Sequence, residues 1–256
     1  MVIEHAAGDL TCTVEAGTTL AELDRGLARA GQMLALDPPG ADELTVGEAF
    51  DRALFGPRAH RYGLPRDLVL GIRARLPDGT VVRGGGKVVK NVAGYDLPKL
   101  FTGAHGALGE LLELTLRLHP RPAQTATLVT PLCDPAALEP LMPACVEVQL
   151  PEERLLVRFE SPVAHELARQ AQAAVGGEIE EDDEALWAGH RERQAGLELW
   201  RCPPAEAPEL VRSLTGQGAT SVVGRWARGW LFADVASVAA DPTPLERRVI
   251  GRFAVR

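Results

Sequence analysis

The sequence predicts an α+β protein in two parts, with the division close to residue 125. Three observations carry this. Residues 67–76 and 80–83 flank Pro77-Asp78-Gly79, the strand, Asp-Gly turn, strand order of a β-hairpin. Leu112, Leu114, Leu116 and Leu118 alternate with Glu113, Thr115 and Arg117, the period of a half-buried strand. Pro120, Pro122 and Pro131 then interrupt the pattern, and a fresh mixture of strands and helices follows. The expected parts are residues 1–125 and 126–256, with a stable break between 120 and 130.

The elements follow in order. Residues 10–15 form a short strand that Gly17 stops. Thr19 and Glu22 make a Thr-x-x-Glu capping box, and Leu20, Leu23 and Leu27 recur at helical spacing. With Gly31 at the C-terminal end, a helix is predicted over 19–30. Pro38-Pro39-Gly40 opens a loop. In the second part, 144–150 and 154–160 are two strands around Pro151-Glu152-Glu153. Residues 163–175 are a helix that Gly176-Gly177 ends. An acidic run from Glu180 to Glu184 leads into a helix over 183–195, and 219–235 hold a hairpin around Trp226 to Gly229.

At 46% apolar and 24% charged, the 256 residues can bury a real core, which excludes a disordered or collagen-like chain. No apolar run approaches the roughly 18 residues a membrane span needs, and no basic-then-apolar leader opens the sequence. The expected location is the cytoplasm, or the inner face of the cytoplasmic membrane if a partner holds the chain there. Cys12, Cys133, Cys145 and Cys202 are scattered, so a disulfide framework, an iron–sulfur cluster or a structural zinc site is not expected. The net charge of -8 hides a balance of +7 over residues 52–121. A basic middle in an acidic protein points to a local anion site or a docking face, with chance surface charge as the plain alternative. The pI of about 5.3, with no basic helix or aromatic RNA-binding motif, argues against nucleic acid.

Residues 84–109, GGGKVVKNVAGYDLPKLFTGAHGALG, carry the functional signal. All three lysines, Lys87, Lys90 and Lys99, fall here, with the only asparagine, Asn91, and one of the two tyrosines, Tyr95. A compact ammonium and a planar guanidinium are not equivalent at a packed or anion-binding site. Gly103, Gly106 and Gly109 recur every third residue and could bare backbone N–H groups toward a phosphate or a flat ring. The segment is not a P-loop, because Gly86-Lys87 precedes Val88, and it contains no Gly-x-Gly-x-x-Gly joining a strand to a helix.

That segment, with RYGLPRDLVLGIRARLPDGTVVR before it and ELTLRLHPRP after it, closely resembles the FAD-binding (E) subunit of bacterial glycolate oxidase, in the PCMH-type or vanillyl-alcohol oxidase flavoprotein superfamily. The likeness runs from about Thr13 to Pro122 and more loosely beyond. It implies a PCMH-type FAD-binding domain followed by a smaller α+β cap-like domain, with FAD as cofactor. It also implies a second flavin subunit and an iron–sulfur subunit as partners, and the oxidation of glycolate or a similar 2-hydroxy acid to the 2-oxo acid. The alternative is a non-catalytic assembly subunit that has lost or weakened FAD binding. A free-standing flavin reductase is a third reading, without a nicotinamide signature to support it.

The resemblance places cofactor contacts at Val46, Gly47, Gly56, Pro57, Lys90, Asn91, Gly94, Tyr95, Asp96, Gly103, Gly106, Leu108 and Gly109. Three departures weaken the expected grip. The family's Gly-Ser-x-Gly-Thr-Leu-Gly has Ala104 and Ala107 in place of its hydroxyl residues. The second glycine of its Ala-Thr-Ile-Gly-Gly turn is Glu48. The family's pyrophosphate-wrapping loop has no counterpart, since the sequence opens a few residues before TVEAG, so the domain is expected to be N-terminally truncated and its FAD binding weak or absent. No catalytic residue is assigned. His5, His60, His105, His119, His165 and His190 have no metal-like spacing, and His105 alone lacks a placed partner. Trp187, Trp200, Trp226 and Trp230 are core residues or anchors for a partner subunit.

Overall fold

The computed structural model describes residues 1–86, 96–180 and 183–235. The first half runs β1 (Val2–Ala6), β2 (Thr11–Glu15), α1 (Leu20–Ala28), β3 (Gln32–Met33) and α2 (Val46–Asp51). The short helices α3 (Ala59–Tyr62) and α4 (Pro65–Leu68) lead into β4 (Val69–Arg75), β5 (Val81–Gly85), α5 (Leu97–Phe101), β6 (Glu110–Arg117) and β7 (His119–Pro120). Five of these strands form an antiparallel sheet in the order β1-β2-β6-β4-β5. Leu20, Leu23 and Leu27 of α1, Val46 and Phe50 of α2 and Phe101 of α5 share one core with Val14, Ile72, Leu114 and Leu116 of the sheet.

The predicted first helix is present with its capping box. Thr19 Oγ1 accepts from the Glu22 N–H at 3.1 Å, and Glu22 Oε2 accepts from the Thr19 N–H at 3.2 Å. The leucine alternation is broken once. Arg73 pairs with Glu113 but Ala74 pairs with Leu111, which leaves Leu112 as the extra residue of a bulge. Leu111, Leu114 and Leu116 are therefore buried while Leu112 is half-buried.

The second half runs β8 (Thr125–Pro131), β9 (Cys145–Leu150), β10 (Arg154–Glu160), α6 (Ala164–Val175), β11 (Glu178–Glu180) and α7 (Glu184–Gln194). It closes with β12 (Glu198–Arg201), α8 (Ala207–Gly216), β13 (Val222–Arg225) and β14 (Trp230–Ala233). Its seven-stranded antiparallel sheet has the order β11-β8-β10-β9-β13-β14-β12. The handover between sheets falls after β7, across Pro122-Ala123-Gln124.

The two halves are joined through residues 55–62. Gln194 donates to the Phe55 carbonyl at 2.9 Å. Glu160 receives Arg58 Nε at 3.0 Å and Nη2 at 2.9 Å, and the Tyr62 hydroxyl at 3.0 Å. Arg61 donates to the Glu160 carbonyl at 3.0 Å, and Arg228 donates to the His60 carbonyl. Burial and the Glu160 charge push the Tyr62 hydroxyl pKa up, so it stays a donor. The Phe55 ring meets Trp230 edge-on at 5.4 Å and Phe232 at 5.9 Å.

Candidate functional site

Two depressions meet along α2. The wider one, about 960 Å³, lies between the halves. Its floor and apolar walls are Leu44, Leu54, Phe55, Leu197, Leu199 and Phe232, and Arg52 and Arg201 approach from opposite halves. Gly40, Gly103 and Gly196 bring bare backbone to this cleft, with φ of 66°, 81° and 75°. A Cβ at Gly40 or Gly196 would meet nothing within 4 Å. The narrower groove, about 630 Å³, runs over the end of β2, the start of α2 and the glycine loop before β6. Gly47, Gly106 and Gly109 line it together with Glu48, Asp51, Glu110 and Arg75. Glu48 borders both depressions and stands at the waist between them.

The local sequence explains Glu48. Thr45 is the N-cap of α2, and Thr45-x-x-Glu48 is a second capping box. Glu48 Oε2 accepts from the Thr45 N–H at 3.0 Å and from its hydroxyl at 2.7 Å. These bonds, with Arg52 nearby, hold the Glu48 carboxyl below its ordinary range, so it is charged at neutral pH. The signature is the one read at Thr19 and Glu22, and the same signal was available here.

The glycines of this loop do not bare their N–H groups. Gly103 N–H donates to the Phe50 carbonyl, His105 N–H to the Asp51 carbonyl and Gly106 N–H to Asp51 Oδ1 at 2.8 Å. Those of Ala104, Ala107 and Gly109 are also spent within the chain. The glycines serve backbone geometry. Gly109 has φ 138°, and a Cβ there would lie 2.2 Å from the Arg75 carbonyl oxygen. His105 is exposed, with φ 51°, at the cleft edge.

The other predicted contacts are dispersed. Val46 is buried in the first core, and Leu108 packs against that core half-buried. Gly47 abuts the end of β2, where an added Cβ would come 2.8 Å from Ala16 Cβ. Gly56 and Pro57 line neither depression. A Cβ at Gly56 would fall 1.7 Å from the Asp37 carbonyl oxygen, so that glycine is required by packing. Asp96 caps α5 and pairs with Lys99 Nζ at 2.9 Å. Lys90, Asn91, Gly94 and Tyr95 lie outside the described residues. Sequence reasoning missed the far wall of the cleft, Gln194 to Leu199 with Arg201 and Phe232, because nothing local marks residues that a distant strand brings opposite Gly103.

Among the described residues no group of His, Cys, Asp and Glu could hold a metal ion, and no helix is long and apolar enough to cross a membrane. All four cysteines are free thiols, and burial pushes Cys12 up to about 12. Trp187 is a core residue whose indole N–H donates to Thr127 at 2.7 Å.

Comparison with known proteins defines the class. The FAD binding domain family matches residues 1–85. The alkyldihydroxyacetonephosphate synthase structure superposes on 99% of this chain and 61% of its own, with a TM-score of 0.65 and 17% identity, which shows the same fold. The chain is thereby similar to FAD-binding flavoproteins, in its first third by sequence and over its length by fold. Among them, the resemblance to glycolate oxidase subunits holds: the chain is 33% identical to glycolate oxidase subunit GlcE of Escherichia coli over 82% of its length. It is also 35% identical to subunit GlcD of Bacillus subtilis over 50%, and 32% identical to D-lactate dehydrogenase of Archaeoglobus fulgidus over 86%. It spans 62%, 27% and 46% of those relatives. The family match and the relatives imply FAD.

The residues present fit one end of that cofactor. The wider cleft, apolar on its walls and bare of Cβ atoms at Gly40, Gly103 and Gly196, has the size and surface for a flat ring. The narrower groove does not fit a diphosphate among the described residues. It carries Glu48, Asp51 and Glu110, its one cation Arg75 is paired with Glu110 at 2.9 Å, and its loop amides at Gly106, Ala107 and Gly109 are spent.

Proposed function

We propose that the chain is the flavin-binding subunit of a glycolate oxidase-type complex, contributing to oxidation of glycolate or a similar 2-hydroxy acid to the 2-oxo acid. The observation that supports it most is the cleft between the halves, set beside the likeness to glycolate oxidase subunits. Bound FAD would supply the electron acceptor. The chain's own residues would hold the ring against Phe55 and Phe232 and exclude water with Leu44, Leu197 and Leu199. Arg52 and Arg201 would present cations to an anionic ligand at the rim. The proposed partners are a second flavin subunit and an iron–sulfur subunit, and any membrane attachment runs through them.

The second reading, a non-catalytic assembly subunit, is favoured by the carboxylate at the waist of the site. One experiment separates the two. The chain is co-expressed with a glycolate oxidase flavin subunit and iron–sulfur subunit, recovered by pull-down, and its visible spectrum and glycolate-dependent dye reduction are recorded. Co-purification with two flavins per copy of this chain, one beyond the flavin subunit's own, supports the first reading. Co-purification with only the flavin subunit's own flavin supports the second. A monomer that captures neither partner overturns both.

A further inference from the structure

Glu48 is held by its own helix and cannot swing away without breaking the capping box. It stands where the flat cleft narrows into the groove, so any ligand long enough to occupy both must pass its charged carboxylate. Asp51 and Glu110 continue the negative lining past that point, and the Asp51 carboxylate is fixed by the Gly106 N–H. A ring confined to the wider cleft meets the Glu48 carboxylate with no charge of its own, whereas a ligand with phosphates on its tail sets like charge against Glu48, Asp51 and Glu110.

We propose that Glu48 is a specificity-determining residue: it lets the trough hold the uncharged ring portion of a flavin while weakening its grip on the anionic phosphates of FMN and FAD. The inference rests on reading the trough as the flavin site. One exposed carboxylate beside a doubly charged phosphate group changes affinity by about five- to tenfold at low salt, and screening erodes this as salt rises.

The test is calorimetric titration of the full chain with riboflavin, FMN and FAD at low and high salt, for the wild type and Glu48→Gln. Glutamine keeps the capping acceptor, so the helix start is retained. Riboflavin is expected to bind as tightly as FMN or FAD, or tighter, and the phosphate-bearing ligands should gain affinity as salt rises. In E48Q, FMN and FAD should tighten about five- to tenfold at low salt with riboflavin unchanged. Wild-type FAD binding about a hundredfold tighter than riboflavin, or weakening with added salt, overturns the proposal while sparing the flavin reading. Equal changes for all three ligands in E48Q do the same. A wild type that binds none of the three overturns the flavin reading and this inference with it. The salt series on the wild type can still overturn the proposal even if E48Q fails to fold.

Discussion

The two faces of the second sheet are both buried, yet they are made of opposite chemistry. Toward α6 and α8 it presents Ala126, Leu128, Val146, Val148, Leu155, Val157, Phe159 and Leu231, in a purely apolar core. Toward α7 and the first half the alternate residues include Thr127, Glu147, Gln149, Arg158, Glu160 and Arg225, each no more than 5% exposed, set among apolar Cys145, Leu156, Val223 and Phe232. The first face is held by area removed from water. The second is held by buried ion pairs: Glu160 with Arg58 and Tyr62, Asp183 with Arg158 at 3.1 Å, and Glu147 with His190 at 3.0 Å and Arg225 at 3.2 Å, with Glu147 Oε1, Arg158 Nε and Arg225 Nε and Nη1 left without a hydrogen bond. Arg225 also lies over the Phe55 ring, 5.0 Å from its centroid, behind the cleft floor. The difference teaches that the apolar face makes the second half fold, while the charged face fixes where the first half sits and so how wide the cleft is.

The largest expected effect comes from removing the partner altogether. We propose residues 126–256 as a separate unit, and expressed alone they would bare the charged face. We expect that fragment to lose the sharp, cooperative urea transition of the whole chain. A transition as steep as the full chain's would mean that the charged face needs no cover.

Next is the clasp. Glu160→Ala leaves Arg58, Arg158 and the Tyr62 hydroxyl facing a buried gap, at a cost of about 3–5 kcal/mol in chemical denaturation. The paired change Glu160→Met with Arg58→Met should recover the part that comes from the orphaned Arg58 charge, because an apolar pair then replaces that ionic one, while the Tyr62 hydroxyl still lacks its acceptor. If the single and double variants are equally damaged, the pair's charge is not what matters. On the apolar face, Leu128→Ala should cost about 2–4 kcal/mol, and no second substitution at a charged position should recover it.

A pH series sharpens the contrast at Asp37, which is buried beside Gly56 and accepts the Arg58 N–H at 3.1 Å. Burial pushes its carboxyl up to about 6 despite Arg58 and Arg225 nearby. Below about pH 4 it is protonated folded or unfolded and has no effect. Between about 4 and 6 the unfolded chain releases the proton and the folded one keeps it, so stability falls as pH rises, by roughly 2–3 kcal/mol, and then levels off. Asp37→Asn should remove that fall and gain stability over the wild type at pH 8 relative to pH 4. Parallel curves for the two proteins would place the carboxylate in a more polar setting. The smallest effect is expected at the first helix, where Thr19→Ala forfeits one cap and about 1 kcal/mol.

Local chemistry alone determined much of the first half. The Thr19 capping box, the Leu20, Leu23 and Leu27 stripe and the Asp78-Gly79 turn act within a few residues of each other, so the sequence carries them in full. The strands at 145–150 and 154–160, and the helices over 164–175 and 184–194, were legible for the same reason. The resemblance to flavoproteins gave the class. It named Gly47, Gly103, Gly106 and Gly109, which do line the trough, but also Gly56, whose lack of a side chain answers to Asp37. What only the tertiary structure decided is which polar residues are buried and which distant ones share a site. Glu147, Arg158 and Glu160 alternate with apolar neighbours as solvent-facing strand residues do, and nothing local reveals that a second body covers them. The cleft likewise sets Gly103 opposite Gly196 and Phe232, because two sheets far apart in sequence are locked at one angle by charges that find their partners only once both have folded.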